Sequence, residues 1–234
     1  MAFPEKFSRS PALVRIAPFI IFVLLTATQG ELGAASDYWL YLIKTVVGAG
    51  FIIAMRPLVT EMRWAFSWEA VLAGVIVFVV WIGISGEWTE QSSLWAKLGV
   101  SKTTKFLASD WNPNVQFGAG STLAWFFVVV RILGSALVVP PLEEVFYRSF
   151  LYRSVAKHEF LDVPLNRLLP LPFIVCALIF GIAHNEWLAG IICGATYQWL
   201  VIRKGRLGDA MTAHAITNFL LGLWVVWRGA WHFW

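Results

Sequence analysis

Apolar runs, several of them long enough for a helix to cross a bilayer, follow one another along most of this chain. That pattern restricts it to a membrane protein with several crossings. The runs cover residues 16–27, 38–55, 66–86, 121–157, 168–184, 187–202 and 209–227. A hydrocarbon core about 30 Å thick asks for roughly 20 apolar residues in a helix. Only 14% of the 234 residues are charged, against roughly 25% in soluble domains, and the mean hydropathy is +0.69. The sequence therefore predicts an all-α fold, a polytopic transmembrane bundle of seven or eight helices around an intramembrane polar cavity. Residues 1–234 read as one integral membrane domain with a motif-bearing core at about 121–227, since no low-complexity linker or repeat divides them.

Charge placement sets an expected topology. Lys6, Arg9 and Arg15 precede the first run, Glu31 and Asp37 follow it, and Arg56 and Arg63 follow the second. By the positive-inside rule the N-terminus is cytoplasmic, in what reads as the inner membrane of a bacterium, and the first run is a signal anchor rather than a cleaved peptide. The loop 87–120 then lies outside, with Leu94, Trp95 and Leu98 spaced for a short interfacial helix and Trp111-Asn112-Pro113-Asn114 for a turn. Residues 121–157 are helix-compatible except at Pro140-Pro141, which must kink or interrupt the helix. The basic turn Arg203–Arg206 must share the side of the N-terminus, so 121–157 counts as one kinked span, giving seven in all. The arms 168–184 and 187–202 are short for spans and read as a partly crossing hairpin with His184 at mid-depth. Cys176 and Cys193, on these arms, read as free buried thiols. The +4 net charge is scattered, which suits cytoplasmic loops; nucleic acid would require a clustered basic face. The partners expected are the lipid bilayer and a membrane-associated peptide or protein, with no nucleic acid.

Chemistry concentrates in a few polar residues set in apolar sequence. On a helix, Glu144 and Arg148 share a face and can pair, while Glu143 points about 100° away. Charged groups at membrane depth cost roughly 2.5–3.5 kcal/mol each, so they read as functional by default. His184 follows Phe180 by one turn, and His214 and Asn218 share a face of the last helix. A lone intramembrane His or Asn is often interhelical glue, worth about 0.6 kcal/mol; an Arg–Glu pair is more often structural than catalytic. Tyr147 can bond Glu143 or simply pack, Glu186 is a weak candidate for shaping the site, and His158 and His232 carry no role. A carboxylate, two imidazoles and an amide on separate segments form a mixture that glue does not require. It suits amide hydrolysis: a carboxylate in a low-dielectric cavity becomes a general base for water, a histidine relays the proton, and His and Asn donors stabilise the oxyanion. No Ser or Cys stands with a His as a nucleophile, so water attacks directly.

The motifs Glu143-Glu144-x-x-x-Arg148, Phe180-x-x-x-His184 and His214-x-x-x-Asn218 resemble, in order and context, those of the type II CAAX prenyl endoproteases. That family includes the bacterial CPBP or abortive-infection-type membrane proteins, and the chain's overall character is similar to the CAAX-protease-related proteins that accompany exosortase systems. The resemblance runs over about 137–223 and implies an intramembrane glutamate protease. In it Glu143 and His184 activate water, His214 and Asn218 stabilise the oxyanion, and Glu144 and Arg148 support them, with no cofactor. Members usually have eight helices, one more than counted here. Other readings of the same residues are a zinc metalloprotease, although no His-Glu-x-x-His occurs; a non-catalytic scaffold or immunity-type partner; and a transporter using Glu143 as proton carrier.

Overall fold

The computed structural model describes residues 9–86, 89–90 and 111–234. Lys6 and the expected interfacial helix at Leu94, Trp95 and Leu98 lie outside the described residues. The described chain is all-α: α1 Pro11–Ala27, α2 Ser36–Met55, α3 Trp68–Ile84, α4 Thr122–Ala156, α5 Pro170–Ile182, α6 Trp187–Lys204 and α7 Gly208–Arg228. Among the described residues the one departure from helix, turn and loop is an isolated antiparallel bridge between Glu90 and Glu186. The helices α2, α4 and α7 are long and apolar enough to cross a membrane, and α1, α3 and α5 are shorter apolar helices. At 13 residues α5 is too short for a full crossing.

Helix starts follow local chemistry. Ser10, Ser67 and Ser121 each accept a backbone N–H of the first turn, from Leu13, Ala70 and Ala124, which satisfies one of the orphan donors at that end. Ser10 and Pro11 start α1 earlier than the apolar run suggests. Arg15 therefore lies inside the helix, buried, with its guanidinium donating to Pro11 O at 2.9 Å.

The chain divides into two compact units. The first comprises Met1–Thr60, Lys105–Glu143 and Asn218–Trp234. In it α1 and α2 form an antiparallel pair, and α2 lies along the first part of α4 in the same direction. A Cβ on Gly48 would stand 2.6 Å from Val138 Cγ1, and one on Gly134 2.8 Å from Thr45 Oγ1, so both positions require glycine for this approach. Trp111, Tyr38 and Phe127 form an aromatic core, with Trp234 5.4 Å from Trp111. The expected turn at 111–114 is an Asn112-capped helical turn, Pro113–Phe117.

The second unit comprises Glu61–Thr104 and Glu144–Thr217. Its centre is the α5–α6 hairpin. Cβ atoms on Gly181 and Gly190 would meet the opposite arm at 2.3 and 2.9 Å. The α6 helix ends on Gly205, at φ +64°, behind Arg203 and Lys204, an αL cap with cations on the negative dipole end. Lys204 pairs with Glu69 at 2.7 Å and Arg153 with Glu61 at 2.7 Å, fixing the entry to α3. Cys176 and Cys193 are buried thiols outside any disulfide.

Candidate functional site

The helix that carries Glu143 and Glu144 is unbroken from Thr122 to Ala156, double proline included. It absorbs the prolines in a π-helical stretch, Gly134–Val138, just before them, and a second such stretch, Val145–Leu151, follows Val139–Glu144. Pro140 and Pro141 bring no N–H and crowd the preceding carbonyls; widening the turn relieves both problems, and π-turns recur at functional sites. Val139 N–H reaches back to Gly134 O. The Ser135 carbonyl, which an α-turn would have paired with Val139, accepts from Asn218 Nδ2 at 2.8 Å.

In the second unit the side chains of Glu144, Arg148 and His214 meet. Glu144 is fully buried. Its Oε2 stands 3.1 Å from Arg148 Nε and its Oε1 2.9 Å from His214 Nδ1. Removing a buried carboxylate and guanidinium from water costs several kcal/mol per ion, repaid only when hydrogen bonds complete the pair. Here Arg148 also donates to Gly194 O at 3.2 Å and lies 4.5 Å over the Phe180 ring. His214 stacks on Tyr197, centroids 5.1 Å apart, and Tyr197 Oη donates to Thr217 Oγ1 at 2.7 Å. Thr217 passes its hydrogen to Gly74 O at 2.8 Å. His184 stacks on Phe180 at 4.5 Å and meets Trp81 edge-on at 5.6 Å. Its Nδ1 stands 2.6 Å from Phe180 O. A carbonyl only accepts, so Nδ1 carries the hydrogen and the neutral ring presents its lone pair at Nε2. Glu186 is buried and accepts from Thr89 Oγ1 at 3.1 Å.

Glu143 and Asn218 belong to the first unit. Glu143 is half-buried beside fully buried Leu142. Asn218 spends one amide hydrogen on Ser135 O, which leaves a second for another acceptor.

Glu143, Glu144, Arg148, His184, His214 and Asn218 all fall within 122–220, the span that matches the family model of the Rce1-like type II CAAX prenyl endopeptidases. This similarity covers 122–220 and not the rest of the chain. No curated protein and no solved structure matches the chain. The Rce1-like family is one of membrane-embedded peptidases, which agrees with three helices able to span a bilayer.

Within this Rce1-like segment, the Glu144–Arg148 pair stands where i,i+4 spacing puts it. The spacing did not reveal that Glu144 also holds His214, or that Tyr197 and Thr217 brace that imidazole. Among the described residues no group of three or more His, Cys, Asp or Glu side chains is placed to hold a metal ion.

Proposed function

We propose that the protein is an intramembrane endopeptidase that uses a glutamate-activated water to cut a peptide bond near the end of a membrane-associated substrate. Glu143 takes a proton from water, the hydroxide adds to the scissile carbonyl, and His184, through Nε2, relays the proton to the leaving amine. His214 and Asn218 donate to the oxyanion, the kind of contribution worth a few kcal/mol. With Nδ1 on Glu144, His214 offers a donor at Nε2 only as the imidazolium, so Glu144 serves this role as the counter-ion of His214. Arg148 holds Glu144 in place. The N-terminus lies in the cytoplasm of a bacterial inner membrane.

The observation that carries this reading is the match of 122–220 to a peptidase family, with all of these side chains inside it. The zinc alternative is less favoured, because the Glu144 carboxylate is already held by the Arg148 guanidinium, which repels a dication. The test compares membrane proteomes of cells carrying wild-type protein or Glu143→Gln. One membrane-associated polypeptide that is longer in the variant is expected; identical lengths throughout would point to the scaffold reading.

A further inference from the structure

We propose that Tyr197 is a positioning residue for His214: its ring is the plate against which the imidazole lies, and its tethered hydroxyl keeps that plate still, so that Nε2 points in one direction. The inference rests on the reading of His214 as a donor to the oxyanion.

The hydrogen bond between Nδ1 and Glu144 at 2.9 Å does not by itself fix the imidazole. Histidine χ2 is a broad, roughly two-fold torsion, so a ring bonded at one nitrogen can swing and carry the other nitrogen with it. What stops the swing is a flat surface. The Tyr197 ring lies 27° from parallel with the imidazole, centroids 5.1 Å apart, while Phe180 meets His214 edge-on at 6.1 Å. Direction matters for the proposed role, because a misplacement of about 1 Å can cost on the order of 10²-fold in rate.

The plate itself is anchored. Tyr197 is fully buried on α6, where a phenol O–H without an acceptor would be costly. Its Oη stands 2.7 Å from Thr217 Oγ1, and that oxygen stands 2.8 Å from Gly74 O and 3.1 Å from Ala213 O. Both carbonyls only accept, so the single Thr217 hydrogen goes to them and Tyr197 is the donor to Thr217. His214 and Thr217 are three residues apart on α7 and so are neighbours on its surface. One tyrosine lying along that face covers the first with its ring and reaches the second with its hydroxyl. Gly74 admits α3 to the same place: a Cβ there would stand 2.6 Å from Ala213 O and 2.9 Å from Ile216 Cβ. Three helices, α3, α6 and α7, thus hold the ring that holds the imidazole.

The chain has four histidines, and magic-angle-spinning NMR of the full-length protein in lipid bilayers, labelled with ¹⁵N-histidine, reads them without any substrate. The signals lost in His214→Gln and in His184→Gln assign those two rings. Wild-type His214 is expected to give one narrow Nδ1–H line. In Tyr197→Leu that line is expected to broaden and lose its single position. The line of His184, held by Phe180 O and the Phe180 ring, is expected to stay where it is. Tyr197→Phe and Thr217→Val cut only the tether, and both are expected to broaden the His214 line less than Tyr197→Leu does. An unchanged His214 line in Tyr197→Leu would overturn the proposal. So would equal changes at His214 and His184, which mark a general loosening of packing. Thr217→Val decides under the same criteria if Tyr197→Leu does not accumulate in membranes. Failure of the peptidase reading shows elsewhere, as unchanged substrate length in Glu143→Gln cells.

Discussion

A carboxylate oxygen of Glu144 lies 2.9 Å from Nδ1 of His214, seventy residues further along the chain. Adjacent glutamates therefore stand in different surroundings. Glu144 is held between Arg148 and His214, whereas its neighbour Glu143 is half-buried in the first unit.

Deleting the Glu144 carboxylate leaves the Arg148 guanidinium buried without its counter-ion. Breaking such a pair costs roughly 3–5 kcal/mol. Glu144→Ala is expected to melt well below wild type in detergent and to lose cleavage, whereas Glu143→Ala loses cleavage and melts near wild type. Coincident melting of the two variants would mean that the Glu144 pair contributes nothing to stability.

His184 stands at the tip of the α5–α6 hairpin, held by one hydrogen bond and two ring contacts. Aromatic contacts of this kind contribute about 0.5–1.5 kcal/mol each, whereas a proton relay is worth about 10²–10⁴ in rate. His184→Ala is expected to lose activity by a factor in that range and to stay folded. Near-wild-type turnover of a cleavable peptide would remove His184 from the chemistry.

How far the sequence reached follows from which interactions are local. The Glu144–Arg148 pair needs only helical spacing, and Ser10, Ser67 and Ser121 announce their helix starts from within one turn. The pairing of Glu144 with His214 depends on how helices seventy residues apart come together, which spacing does not encode. The double proline showed that hydrogen bonds must be lost, but not how the backbone would adjust. The wide turn at Gly134–Val138, with Asn218 closing on Ser135 O, keeps α4 unbroken where a kink or interruption was expected.

Chelation separates a glutamate-activated water from a metal-bound one. With Arg148 already on Glu144, a dication there would meet a fixed positive charge 3.1 Å from its ligand. Cleavage is expected to survive prolonged treatment with 1,10-phenanthroline. Loss of activity that zinc restores would instead favour the metalloprotease.

Glycine matters in the α5–α6 hairpin for space rather than backbone freedom. A Cβ at Gly181 would stand 2.3 Å from Ile191 Cγ1 and 2.7 Å from Trp187 O, and a backbone carbonyl cannot rotate aside as a side chain can. Gly181→Ala is expected to cost about 1–3 kcal/mol as overpacking. It should also lower activity, because it pushes apart the arms that seat Phe180 under Arg148 and His184 on Phe180. Gly50, in the interior of α2, has nothing within 4 Å of its missing Cβ. There the same substitution should stabilise by roughly 0.5–1 kcal/mol through reduced backbone freedom. Melting temperatures of the two variants in one detergent provide the check: opposite signs are expected, and a neutral Gly181→Ala would mean that the hairpin is not packed this closely.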